Sequence, residues 1–291
     1  MKRASFCAIL FGILFSPILL EAQVSIEDLT QDLYWRNIGP ANQGGRITDI
    51  EARRDDFTKV FISVASGGVW KSENAGTSWE PIFDDYETAS IGDIALDPKD
   101  PEVIWVGTGE SNNRNSVSWG NGVYKSTDGG ESFENVGLES THAISRVLVH
   151  PKNTDDVCVC ATGHLWGYSG ERGLFQTTNG GKSWKKLKRG LPDDGKTGCT
   201  DLVRDSKNPN ILYAAFYHRL RQPWHFQSGG EKGGIYKSTD GGKSWKQLTN
   251  GLPSPTGRIG LAIYESNPEI LMALVEAERS DPLSVAGSGV Y

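Results

Sequence analysis

The chain has 291 residues, 37% hydrophobic and 10% aromatic, with 36 acidic against 30 basic residues for a net charge of −6. Mild acidity without a basic run excludes the usual electrostatic footprint of a nucleic-acid binder. Four cysteines and five histidines without clustered spacing supply no zinc site, and nothing else in the composition calls for a metal or a cofactor.

Residues 1–22 read as a secretory signal. Lys2 and Arg3 form a positive n-region, Phe6 to Leu20 is an apolar run too short for a comfortable membrane span, and Ala22 is a small residue before Gln23. Cys7 lies inside the run rather than at its end, which argues against a lipid anchor. No other stretch is apolar enough to be a transmembrane segment, so the expectation is an exported protein: secreted, periplasmic or held at the cell surface. Residues 23–30 read as a linker.

Beyond residue 30 the chain repeats itself. GVYKSTDGGESF (Gly122 to Phe133) returns nearly unchanged as GGIYKSTDGGKSW (Gly233 to Trp245), and more loosely as GLFQTTNGGKSW from Gly173 and GVWKSENAGTSW from Gly68. A further copy begins at Gly289-Val290-Tyr291. Each unit predicts a β-hairpin: a short aromatic strand, an Asp-Gly or Asn-Gly turn tolerant of positive φ, and a second strand ending in an aromatic residue. Ser or Thr at the first motif position and Asp or Asn two residues on can bond the amides of their own turn. Ser72, Asn74, Gly76 and Trp79; Ser126, Asp128, Gly130 and Phe133; Thr177, Asn179, Gly181 and Trp184; and Ser238, Asp240, Gly242 and Trp245 are therefore expected to be architectural, the aromatics packing each hairpin onto a core.

The closing aromatics recur at intervals of 54, 51 and 61 residues, which suits propeller blades of four strands with long loops. Helical periodicity is absent. Innermost strands are predicted at Ile47–Arg53, Ile91–Asp97, Ile144–His150, Cys199–Asp205 and Ile259–Glu265. Second strands follow at Val103–Gly107, Val157–Ala161, Ile211–Phe216 and Ile270–Val275. The hairpins supply the third and fourth strands. The fold class is thus all-β, a propeller of four-stranded antiparallel blades over 31–291, with blades at about 46–83, 90–137, 143–188, 198–249 and an incomplete fifth from 258. Tyr34 to Ile38 resembles the outermost strands and is expected to close the ring. The expectation is the N-terminal fragment of a larger propeller with C-terminal blades missing; a closed five-bladed ring is the rival reading.

In this order of strands the hairpin turns and the long loops between second and third strands leave from opposite faces. Loops on a rigid scaffold carry binding, and these are rich in aromatic and polar residues. Asn112, Asn113, Arg114, Trp119, His164, Trp166, Tyr217, Arg219, Arg221 and Trp224 are the candidate ligand-binding residues, suited to a glycan or an extended peptide; the other reading is that they pack the loops onto the disc. Within the inner strands Asp49, Asp93 and Asp201 share a column with Arg146. They are the only catalytic candidates, since a glycosidase needs a carboxylate pair, and the plainer reading is that they tie inner strands together. Cys158, Cys160 and Cys199 are expected to serve as small buried side chains, with one bridge to Cys199 the alternative.

The Ser-x-Asp-x-Gly-x-x-Trp pattern resembles the Asp box, or bacterial neuraminidase repeat. With WRNIGP, GGRITDI, TGESNNRNSVSWGNGVYKSTDGG and RLRQPW the mature chain resembles the sortilin-type propellers of exported, glycosyl-hydrolase-like bacterial proteins. The resemblance implies a secreted module that binds a peptide or glycan. Sialidase-like and xyloglucanase-like enzymes share the repeat, but Arg46-Ile47-Thr48 and Arg258-Ile259-Gly260 lack the sialidase Pro, and Ala65 stands where xyloglucanase-like enzymes carry an Asp. The reading therefore leans away from catalysis, with glycoside hydrolysis as the alternative activity. An assembly factor for a membrane complex shares the repeat as well.

Overall fold

The computed structural model describes residues 45–277 and 288–291. The described residues all belong to one compact unit, residues 45–291. The signal, the linker and the strand expected at Tyr34 to Ile38 lie outside the described residues.

Five antiparallel sheets follow one another along the chain. The first is β1 (Ile47–Ala52), β2 (Val60–Val64), β3 (Gly68–Ser72) and β4 (Glu80–Pro81); the second β5 (Ile91–Leu96), β6 (Ile104–Thr108), β7 (Val123–Ser126) and β8 (Glu134–Asn135). The third is β9 (Ile144–Val149), β10 (Val157–Ala161), β11 (Gly173–Thr177) and β12 (Lys185–Leu187). The fourth holds β13 (Thr197–Arg204), β14 (Leu212–Gln222), β15 (His225–Ser228), β16 (Gly234–Ser238) and β17 (Lys246–Leu248), and the fifth β18 (Thr256–Ile263), β19 (Leu271–Ala277) and β20 (Gly289–Val290). Each sheet is a meander, with β15 in the fourth lying off the main path and pairing only with β14, and this is the blade pattern of a β-propeller.

The core sits between sheets rather than inside one. Four apolar clusters fill the four interfaces, around Phe83 and Ile94 between the first and second sheets and around Trp105 and Val147 between the second and third. Leu174 and Phe216 centre the next, and Ile235 and Val275 the last. Strands covered on both faces need apolar residues throughout, and β6 and β10 are buried at every position. The outward faces of the terminal sheets meet nothing among the described residues: Ile50 is 59% and Leu274 64% exposed. Trp79, expected to pack, is 37% exposed for the same reason. Its counterparts lean on the preceding sheet, as Trp184 does when its Nε1 donates to Val136 O at 2.7 Å.

The four hairpin turns share one hydrogen-bond pattern. In the second sheet Ser126 Oγ donates to Asp128 Oδ1 at 2.7 Å and accepts from Gly130 N at 2.9 Å, while Asp128 Oδ1 takes Ser132 N at 2.9 Å. The equivalent atoms of Ser72 and Asn74, Thr177 and Asn179, and Ser238 and Asp240 repeat it. The Ser132 hydroxyl and amide, with Ser126, hold the Asp128 carboxyl down to about 2. Each turn also donates one backbone amide to the turn between first and second strands, as from Gly129 N to Glu102 O and Gly180 N to Asp155 O.

Inner strands of the first four sheets carry a bulge at Thr48, Gly92, Ser145 and Thr200, each skipped by its partner strand. The freed hydroxyls bond the next sheet: Thr48 Oγ1 to Ile91 O at 3.1 Å, Ser145 Oγ to Cys199 O at 3.1 Å, and Thr200 Oγ1 to Ile259 O at 3.4 Å. Gly92 has no room for a side chain, since a Cβ there would lie 1.8 Å from Ile144 O.

Two expectations are corrected. The fourth sheet's long loop is instead a strand extension, because β14 runs on past Phe216 and pairs with β15 as a two-stranded ribbon. Cys160 is not merely packed but joined to Cys199 by a disulfide, linking the third and fourth sheets, while Cys158 stays buried and free.

Candidate functional site

On the axis, Asp93 Oδ2 accepts Val147 N at 2.6 Å and its Oδ1 accepts Arg146 Nη1 at 3.2 Å. Asp201 takes Arg146 Nε at 2.9 Å, Leu202 N at 2.9 Å and Leu261 N at 2.7 Å. Both carboxylates are spent on holding one inner strand to the next. Burial pushes the Asp93 carboxyl well up, and the Asp93 carboxylate in turn raises the Arg146 guanidinium. Asp49 Oδ2 is buried without a hydrogen bond. Partial burial, with the neighbouring Asp49 charge, pushes the half-buried Glu51 carboxyl up to about 7. Among the described residues no group of three His, Cys, Asp or Glu is placed to hold a metal ion.

The loop after β6 crosses the axial ends of these strands. Glu110 receives Arg46 from the first sheet. Asn112 Oδ1 accepts Arg258 Nη1 at 2.7 Å from the fifth, and Asn113 Nδ2 donates to Tyr217 Oη at 2.7 Å in the fourth. Arg219 completes the arrangement from full burial. Its Nη1 donates to Ser111 O at 2.8 Å and Asn113 Oδ1 at 3.1 Å, and its Nη2 to Thr162 Oγ1 at 3.0 Å and Gly163 O at 3.1 Å. Beneath the loop lies a polar cavity of about 120 Å³, with Thr48, Ser145, Thr200 and Arg258 on the strand side and Ser111 and Asn112 on the loop side. Asn112, Asn113, Tyr217 and Arg219, read from the sequence as ligand contacts, are thus brought together in bonds within the protein.

Farther from the axis the same face carries an aromatic strip. Trp119 stacks on His142 with centroids 4.9 Å apart, and His142 stacks on His164 at 3.5 Å and 7°. His164 Nε2 reaches Ser140 O at 3.0 Å, so this nitrogen is the protonated one. Burial and the neighbouring His164 lower the His142 pKa. Next along the strip, Tyr168 Oη bonds His218 Nε2 at 3.1 Å, with the Lys196 ammonium 5.4 Å from its ring centre. Arg172, fully buried, fixes this loop from beneath by donating to the carbonyls of His164, Gly167 and Lys196. Trp119, Trp166 and Tyr168 are 60%, 45% and 46% exposed. Arg114 is exposed beside Ser116. Trp224 caps the tip of the ribbon, and Arg221 lies over Phe226 within it.

Sequence reasoning passed over His142 and Arg172. His142 lies in a connection between sheets and adopts a left-handed backbone, φ 59°, that no local residue announces. Arg172 has the sequence context of an ordinary surface Arg beside a glycine.

A profile described as "Sortilin, neurotensin receptor 3" (Sortilin-Vps10) matches residues 121–272. A xyloglucanase of Paenibacillus sp is 23% identical over 253 residues, covering 77% of this chain and 22% of that protein. An ancestral GH74 enzyme of known structure superposes with a TM-score of 0.60 at 22% identity, over 80% of this chain and 28% of that one. YCF48 from Cyanidioschyzon merolae gives a TM-score of 0.51 at 16% identity, over 87% and 73% of the two chains. The chain therefore spans less than a third of the length of the xyloglucanase and the GH74 enzyme. At these identities the solved structures speak for the propeller fold alone. The profile runs from just before β7 to the first residues of β19, more than half of the chain, and the chain belongs to the Sortilin-Vps10 family.

Proposed function

We propose that the loop face of this propeller segment binds an extended glycan chain along the strip of Trp119, His142, His164, Trp166 and Tyr168, without catalysis in this segment. The observation that carries the reading is the stack of Trp119, His142 and His164, with exposed Trp119 at one end of it and the exposed rings of Trp166 and Tyr168 on the same loop face. Flat rings stack on sugar faces, and His and Lys donors beside them fix orientation. The xyloglucanase relative supports a glycan over a peptide here. Asp93 and Asp201 do not act as a hydrolytic pair in this reading, because their oxygens hold backbone amides and Arg146. The Asp-box hairpins are architectural, the signal at 1–22 directs export, and further blades of the same protein cover the bare faces at Ile50 and Leu274.

Isothermal titration of the full chain with xyloglucan oligosaccharides tests this. Binding should weaken by about tenfold in Trp119→Ala and in Tyr168→Ala, each the loss of one stacking platform, with melting temperature unchanged. Equal affinity in both variants overturns the reading. A reducing-end assay should detect no release, in the wild type as in Asp93→Ala.

A further inference from the structure

The ribbon on the fourth sheet presents a bare strand edge. β14 turns through Pro223 and Trp224 into β15, paired from Gln222↔His225 to Arg219↔Ser228. Gly229 N donates to His218 O at 2.8 Å. In an antiparallel pair hydrogen-bonded positions alternate, so Leu220 bonds Gln227 and Gln222 bonds His225. The N–H and C=O groups of Phe226 and Ser228 consequently point away from β14. The same alternation turns the Arg221 amide out of the opposite side, where Leu165 O accepts it at 2.8 Å. One edge of the ribbon is in use. On the other, no described residue bonds the outward backbone groups of Phe226 and Ser228.

Natural edges are covered, charged or broken by proline. Here the bare groups face a groove of about 630 Å³ between β15 and the fifth sheet, bounded by Gly230, Pro255 and Thr256. Its charge has one sign: Glu231 and Glu276 line it, and no Lys or Arg does. Glu276 meets Ser228 Oγ and Arg258 N, which leaves Glu231 as the side chain open to a ligand cation.

We infer that the outer edge of β15 is a β-augmentation site for an extended peptide of about four residues, with a Lys or Arg directed at Glu231. Donors and acceptors that repeat every second residue, about 6.8 Å apart, match another extended backbone. A polysaccharide offers no such row. The site is separate from the aromatic strip and does not depend on the glycan reading.

The experiment uses the full chain and a fluorescein-labelled acetyl-Val-Lys-Val-Lys-Val amide, followed by polarisation. Binding is expected, and should weaken about tenfold or more when alternate residues of the probe are N-methylated, when its Lys residues become Glu, and in Glu231→Lys. Phe226→Pro removes one outward amide and leaves the β14 ladder intact. It should give the same loss at an unchanged melting temperature; if it fails to fold, the N-methylated probe and Glu231→Lys decide alone. Hydrogen exchange at Phe226 and Ser228 should be fast in the free chain and slowed by the probe. Absence of binding, equal affinity for the N-methylated probe, or slow exchange at both amides before any peptide is added each overturn the site, the last because the chain itself would then cover the edge.

Discussion

Arg172 and Arg219 are both fully buried, and no carboxylate pairs with either among the described residues. Their guanidinium groups are instead neutralised in part by carbonyl and hydroxyl oxygens, and burial holds both below the ordinary guanidinium range. Each fork gathers three or four acceptors from separate segments, which a Lys point charge cannot reproduce. Arg219→Met should therefore cost about 3 kcal/mol in urea unfolding, and Arg219→Lys should recover only part of it. In the sequence Arg219 sits among aromatics and reads as a ligand contact. Its position on a strand extension, pointing inward beneath the Glu110–Asn113 loop, depends on three sheets meeting and leaves no local mark. Asp93 and Asp201 were more legible, since polar residues in one column of inner strands already suggested strand-to-strand bonding.

Among the elements, the hairpin turns were readable because their chemistry is local. Serine, aspartate and two glycines at fixed spacing permit few conformations, and Gly130 takes φ 94°. Gly130→Ala should destabilise by about 1 kcal/mol through that backbone alone, with more from the Ile82 side chain 2.8 Å from the new methyl. The ribbon of β14 and β15 escaped notice because His218 to Gln222 carries none of the apolar alternation that marks a half-buried strand.

The turns between first and second strands hold a pH-dependent difference. Asp97 and Asp205 accept two turn amides each in the second and fourth sheets, while in the third His150 Nδ1 accepts Lys152 N at 3.0 Å and Asn153 N at 3.1 Å. Only neutral imidazole can accept, and burial, with the Arg204 charge, lowers the His150 pKa from 6.5. A base whose folded pKa is depressed stabilises fully above its unfolded value and loses that contribution as pH falls through the folded one. Thermal melts should show His150→Asp losing less stability than wild type between pH 7.5 and pH 5. Parallel decline of both proteins would remove His150 as the cause.

For the whole molecule, stability resides in the interfaces between sheets, so a side chain central to one interface matters more than any turn. Trp105, wholly buried between the second and third sheets, should cost about 3–5 kcal/mol as Trp105→Ala. The Cys160–Cys199 bridge spans 39 residues and ties adjacent sheets. Its removal in Cys160→Ser with Cys199→Ser should lower the urea midpoint by the equivalent of about 3–4 kcal/mol, whereas Cys158→Ser should alter it far less. Blade order and period were visible in the repeat, but which thiols meet was not, because that depends on how two neighbouring sheets pack, which no local residue marks.

The loop from Glu110 to Asn113, anchored on the first, fourth and fifth sheets, also gives the axis a direction. At the opposite end the inner strands open into a cavity of about 660 Å³ that Glu51, Arg54 and Glu265 help to line. The two ends of the inner strands thus differ: a cross-bonded loop lies over one, and an open, charged cavity stands at the other. A small solute that enters from the turn end meets Glu51, whose carboxyl is pushed up to about 7, on the face opposite the aromatic strip.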